Sequence, residues 1–242
     1  MNVVLLRVGV DSGSGGIQGP LFDDGSFELI PIPDGSGVGL RTYGNTLGIK
    51  GLPYSAYFPT SRWNTVESLA MHVDPEFESF TYGDPTPPKA GLRRLQKGDL
   101  LAFYAGLSGW DHERAPALYI VGYFVVEWAG LAIDLPENEV RRRCGGNFHV
   151  MHGELFKKQK DRLVLVQGGP GSRLLKKALC ISAMSTNIAG QPIKVLSQEA
   201  QDIFGDFNGK ISIQRSPLVG CWLPILRRQK PTSKRNHNCD AR

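Results

Sequence analysis

GLRRLQKGDLLAFYAGL (91–107) and ALYIVGYFVVEW (117–128) decide how this chain folds. Each holds a nearly continuous apolar run, rich in β-branched and aromatic residues. They flank the mostly polar SGWDHERAP (108–116). This is the pattern of two strands joined as a hairpin, with both faces buried. The first run opens with a short basic turn and the corner Lys97-Gly98-Asp99. The tip carries Trp110, Asp111 and His112.

Toward the N-terminus the signals become irregular. DPEFESFTYGDPTPPKA (74–90) is rich in proline and reads as loop. Residues 53–65 hold Tyr54, Tyr57, Phe58 and Trp63 and read as a surface segment docked by aromatics. GSGVGLRTYGNTLG (35–48) is a polar loop containing Arg41, Tyr43 and Asn45. Arg can fork onto a phosphate or base edge, Tyr can stack and Asn can read an amide-like edge. The same three side chains could instead pin a long connection.

VVLLRVGV (3–10) is a strand that ends in DSGSGGIQGPLFDDG, after which FELIPIP reads as a second strand. A rigid strand handing over to a polar glycine turn is a common place for a site. Asp11, Ser12 and Gln18 are the polar groups offered there. The dinucleotide fingerprint fails, because Gln18 stands where a third glycine belongs and no helix follows. No Gly-Lys-Ser/Thr follows either, so this is not a nucleoside-triphosphate loop. The remaining alternative is a long hairpin whose glycines serve geometry alone.

Beyond the hairpin, ENEVRRR (137–143) reads as a short helix with a basic end. NFHVMH (147–152) places His149 and His152 three apart. They share a face if helical and oppose each other if extended. No neighbouring donors complete a metal set apart from Glu154, so no metal is expected. KKQKDR (157–162) reads as a basic turn before the strand RLVLVQG. A Gly-Pro-Gly loop then leads to Ser172 as N-cap of a helix bearing Arg173, Lys176 and Lys177, suited to a phosphate. SQEAQDIFGDFNGKISIQR (197–215) reads as a capped helix and a strand ending in Gln214 and Arg215, possible base-reading groups.

Chemistry narrows the reading further. No G-x-S-x-G elbow, deaminase metal spacing or convincing methyl-donor glycine motif is present. For acid–base work the best carboxylate is Asp11, with His149 as its partner from elsewhere in the fold. No cofactor is implied. The four cysteines are widely spaced and read as free thiols of a reducing cytoplasm. No run is long enough to span a bilayer.

The formal net charge of +5 conceals an asymmetry. Residues 1–90 carry 5 Lys/Arg and 10 Asp/Glu, residues 91–226 carry 17 and 12, and residues 227–242 carry 6 and 1. The body is therefore neutral, with an acidic front and a basic back, and the basic tail is expected to be disordered. The tail could hold nucleic acid by counterion release, or serve solubility alone.

The Lys-Gly-Asp-Leu-Leu-x-Phe-Tyr-x-Gly run (97–106) and the paired strand at 117–126 resemble the central strands of PUA-like barrels of the EVE and YTH type. That resemblance implies a mixed β-barrel that binds modified bases or RNA. A wider resemblance is to the third family of nucleotide-modification-associated domains. It is carried by LLRVGVDSGSGGIQGPLFDDGSFELIPIPD, RTYGNTLG, DPEFESFTYGDPTPPKAGLRRLQKGDLLAFYAGL, NFHVMH, SRLLKKA and FGDFNGKISIQRSP, over residues 1–218. It implies a setting in DNA-base modification or phage defence.

The expectation is thus one α+β domain over 1–226, with a PUA-like core at about 91–218, a few short helices, an N-terminal strand-loop-strand elaboration and a basic tail at 227–242. Its partner is DNA or a modified nucleotide, with possible protein partners of a modification system and no membrane. As a reader it would sandwich a base between Tyr43, Tyr104 or Trp110 and read its edge with Asp11 and Gln18. As an enzyme it would use Asp11 as acid or base, with Arg41, Arg173 or Arg215 clamping phosphate. A third possibility is a non-catalytic interaction subunit held by the aromatic segment.

Overall fold

The computed structural model describes residues 1–205, Phe207, Ile213 and 218–221. The chain begins with β1 (Asn2–Arg7), β2 (Gly19–Leu21), β3 (Ile32–Pro33), the short helix α1 (Trp63–Val66), β4 (Met71–His72) and β5 (Thr81–Asp84). The hairpin β6 (Leu100–Gly109) and β7 (Ala117–Leu131) follows, then α2 (Glu137–Cys144), α3 (Phe148–Met151) and α4 (Gly153–Gln159). The remainder is β8 (Val164–Gly168), β9 (Arg173–Cys180), β10 (Ser182–Thr186), β11 (Pro192–Leu196), α5 (Gln198–Phe204) and β12 (Leu218–Cys221).

Eight strands form one mixed sheet in the order β12-β1-β6-β7-β8-β5, with β2 also on β6 and β9 also on β7. The hairpin expected from the two apolar runs is its centre. β6 and β7 pair antiparallel from Leu100↔Val125 to Leu107↔Ala117, with a register shift at Phe103/Tyr104. Side chains of a strand alternate between faces, and here both faces are apolar. Leu101, Phe103, Ala105 and Leu107 enter one core, while Ala102 and Tyr104 enter the other. β1 divides in the same way, Val4 and Leu6 against Val3 and Leu5.

Two features of this sheet place the cavity described below. β1 lies parallel to β6 along Leu100–Tyr104, and β2 lies along Leu107–Gly109 of the same strand. The glycine-rich turn is therefore an excursion that leaves and rejoins one edge of β6. At the far side, β7 is long enough to serve two neighbours: β9 pairs with its Tyr119–Tyr123 half and β8 with its Val126–Leu131 half. β5 then pairs antiparallel with β8. Among the described residues no pairing joins β5 to β12, so this path is open.

The structure is α+β, and its departures from the sequence reading have local causes. RLLKKALC is strand β9 and not a helix after Ser172, because the Ser172 hydroxyl accepts from the Val125 amide at 3.0 Å and docks the segment on β7. KKQ belongs to helix α4, whose Phe156 is buried and supplies an anchor that the basic composition hides. TYGD within the proline-rich stretch is strand β5, given its partner by β8. FELIPIP contributes only the two-residue β3, since prolines at 31 and 33 lack the donors a longer ladder needs. Ser197 caps α5 by accepting from the Ala200 amide at 3.2 Å, as expected. Gln214, Arg215 and the tail 227–242 lie outside the described residues. No helix among the described residues is long and apolar enough to cross a membrane.

Candidate functional site

A cavity of about 450 Å³ opens where the end of β1, the β4 turn and β5 meet. Such a volume falls in the range of small-molecule sites, ~300–1,000 Å³. Its walls bring together Arg7, Asp11, His72, Asp74, Lys89 and His149. Both residues assigned to acid–base work from sequence, Asp11 and His149, therefore line the same cavity.

Their surroundings differ. The Asp11 Oδ1 accepts from the Gly13 and Ser14 amides, each at 2.7 Å, and from the Ser14 hydroxyl at 3.1 Å. Its Oδ2 pairs with the Arg7 guanidinium at 3.2 Å. Burial alone would raise its pKa, but these bonds and Arg7 outweigh it and hold the carboxyl below its ordinary value. Asp11 thus organises its own turn. Ser12 is exposed beside it.

His149 is 4 % exposed and sits on α3, entered through the Asn147 cap. The amide oxygen of Gln159 accepts from its Nδ1 at 2.7 Å, leaving Nε2 facing the cavity cluster. That Nε2 stands 3.8 Å from Asp74 Oδ2, and His72 Nε2 stands 3.9 Å from the same oxygen. Both distances exceed a direct hydrogen bond. Asp74 Oδ2 accepts from the Gly83 amide at 2.9 Å and the Asn147 amide group at 3.2 Å. Its Oδ1 is buried without a hydrogen-bond partner. Burial pushes the Asp74 carboxyl up and pulls the His149 imidazole down, so both are driven toward neutral forms. His72, Asp74 and His149 offer donor atoms that all lie within 4.8 Å of one another.

Packing fixes these groups. The His72 ring stacks on Phe148 at 4.1 Å and meets His149 edge-on at 4.8 Å. Gly83 makes room for them: a Cβ there would lie 2.6 Å from Asn147 Oδ1 and 3.1 Å from the His149 ring. Lys89 brings a positive charge to the rim, and burial lowers its pKa. Tyr82 donates its hydroxyl to Asp84 Oδ2 at 3.0 Å.

The remaining sequence candidates lie elsewhere. Tyr43 and Tyr104 have no exposed surface, and their hydroxyls donate to Pro31 O and Ile213 O. They are core residues and offer no face to a base, which corrects the sandwich expected of them. Trp110 is 41 % exposed but packs edge-on against Tyr57 at the hairpin tip. Gln18 packs over Gly106 of β6. Asn45 pins its loop, accepting from the Thr42 amide and donating to Leu40 O. Arg173 lies on β9 over the Tyr123 ring at 5.8 Å, so no helix terminus adds to its charge. Arg41 lines a second cavity of about 450 Å³ with Leu40, Phe148, Met151 and His152. His149 and His152 therefore face different cavities. His72 and Asp74 were missed, although His-x-Asp is itself a signal, because Asp74 opens the stretch 74–90 that reads as loop and His72 falls just before it.

The sheet and this cleft define an α+β protein with an ionisable cavity at the margin of its sheet. A family model described as nucleotide modification associated domain 3 matches residues 2–206, and the chain belongs to that family. The match spans every element from β1 to the helix α5 and includes all the cavity residues named above. No curated protein and no solved structure matches the chain.

Proposed function

We propose that this chain takes a nucleotide, or a base turned out of a nucleic acid, into the cavity between β1, β4 and β5 and acts on it there. The observation that carries this reading is the buried Asp74 between two histidines on a cavity wall. Buried ionisable groups are costly to fold, and clusters of them in clefts mark functional sites. Arg7 and Lys89 supply positive charge for a phosphate, and His72 and His149 supply imidazole nitrogens for proton transfer. Asp11 then holds the turn and Arg7, and the acid–base role passes to the histidines.

A second reading, recognition without turnover, is favoured by the neighbouring cavity. There Leu40, Phe148, Met151 and His152 offer apolar and ring surface, and Arg41 offers a fork for a base edge or phosphate. The further details belong to the proposal. They are a PUA-like character for the sheet, supported by the β6–β7 pairing, and DNA or a modified nucleotide as partner. A cytoplasmic setting with other proteins of a modification system completes it, supported by family membership and widely spaced free thiols.

The test is binding of free nucleotides and of matched oligonucleotides with ordinary and modified bases, at two salt concentrations, with products read by mass spectrometry. We expect saturable binding that survives high salt, weakens about tenfold or more in Lys89→Met, and is followed by product. Binding without product favours the second reading. Weak binding erased by salt and indifferent to Lys89→Met overturns both and assigns the affinity to counterion release.

A further inference from the structure

We infer that His72, Asp74 and His149 form the binding site of one divalent transition-metal ion, with its remaining coordination positions open to the cavity. Three observations carry this. First, the donor atoms of the three residues already lie within 4.8 Å of one another. Ligands of a tetrahedral ion with bonds of about 2.1 Å stand about 3.4 Å apart. The 3.8 and 3.9 Å separations from Asp74 Oδ2 to the two Nε2 atoms need close by only a few tenths of an ångström.

Second, one polar atom of the cluster lacks the partner that a merely structural cluster would give it. The Asp74 side chain is 3 % exposed and its Oδ1 has no hydrogen-bond partner. Buried polar atoms in native proteins are nearly always paired, and an unpaired carboxylate oxygen is among the costliest exceptions. A cation held by both oxygens of the carboxylate, between it and the two imidazoles, gives Oδ1 its partner.

Third, the outer contacts match what holds a metal-ligating histidine. His149 donates its Nδ1 proton to Gln159 Oε1, which fixes the tautomer with Nε2 as the free donor atom. Asp74 Oδ2 is held by the Gly83 and Asn147 donors, and His72 is held by its stack on Phe148. Ligands restrained in this way lose little freedom when an ion arrives.

The donor set indicates the class of ion. Two imidazoles and one carboxylate suit Zn²⁺ or Fe²⁺ and not Ca²⁺ or Mg²⁺, which take oxygen donors. A three-residue set leaves one or more positions for water or a bound molecule, as catalytic metal sites do and structural ones do not. This site stands independently of what the cavity takes, since its test needs no nucleotide.

The test uses the full chain, stripped with a chelator and titrated with Zn²⁺, with Co²⁺ as a visible reporter and with Fe²⁺ under anaerobic conditions. We expect saturation near one ion per chain, a rise in melting temperature on loading, and Co²⁺ d–d bands that report coordination number. Asp74→Asn and His72→Gln, both close in shape to the originals, lower affinity by ~100-fold or more, and Gln159→Leu lowers it by ~10–100-fold. His152→Ala, in the other cavity, leaves it within about twofold. Circular dichroism of each variant confirms its fold. No saturable binding of any of the three ions to the parent chain overturns the inference. So does binding that persists undiminished in folded Asp74→Asn and His72→Gln.

Discussion

The centre of the sheet and its β5 margin are built on opposite terms. Around Phe103 the packing is of rings: its own meets those of Phe77, Tyr82 and Phe124, and it has no exposed surface. Around the Asp74 side chain, 3 % exposed, stand two histidines, an asparagine and a main-chain amide. The first region is held by area removed from water, which is indifferent to direction. The second is held by a few directed contacts, each of which needs its partner in place. The first therefore tolerates change in detail and dominates stability, while the second contributes little stability and is sensitive to displacements below an ångström.

Substitutions can break this contrast. The largest effect is expected for Phe103→Ala, which should cost about 3–5 kcal/mol in urea denaturation, with ligand affinity per folded molecule nearly unchanged. A comparable loss of affinity in the folded fraction would show that the two regions are not separable. Gly83→Ala should do the reverse. Its new Cβ would press on Asn147 and His149, costing about 1–3 kcal/mol but reducing nucleotide and metal binding at least tenfold. Unchanged binding would mean that the His149 position does not matter to the cavity.

Asp11→Asn sharpens the same comparison with a smaller effect. The Asp11 carboxyl is held below its ordinary value of 3.8. Its contribution to stability is thus present above that value and lost as pH falls through the lower folded-state value. At neutral pH the variant should melt slightly below the parent, and the gap should close in acid. A variant that melts with the parent at neutral pH but fails to act on nucleotide would return Asp11 to the chemistry.

These expectations also show what was legible in the sequence. The apolar runs of β6, β7 and β1 could be read because periodicity and burial are properties of consecutive residues. The cavity could not, because it joins residues from the segments around 7–11, 72–89 and 149. His72 ends the two-residue β4, which pairs with β3, Asp74 lies in the turn after it, and Asn147 reaches Asp74 across 73 positions. The polar turns misled in a systematic way. Asp11, Asp24, Asp34, Glu76 and Asp84 each accept from a nearby Ser or Thr hydroxyl and main-chain amide within their own turn. Much of the acidic excess of residues 1–90 therefore closes loops and is not available to a ligand. The glycine-rich excursion borders the cavity, and its carboxylate turns inward to its own backbone. The helix expected after Ser172 failed for a tertiary reason: β7 had a free edge there, and β9 filled it.

The bond from the Gly83 amide to Asp74 Oδ2 also ties the outermost strand of the sheet path to the loop before it. That single proton is a natural reporter. Amides at the middle of β6 should exchange with solvent deuterium only when the whole molecule opens, whereas the Gly83 amide should exchange through local opening at the margin. Its protection should rise when the cavity is filled and fall when Asp74 is replaced. One resolved resonance would then follow the cavity's occupancy in solution without any assay of turnover.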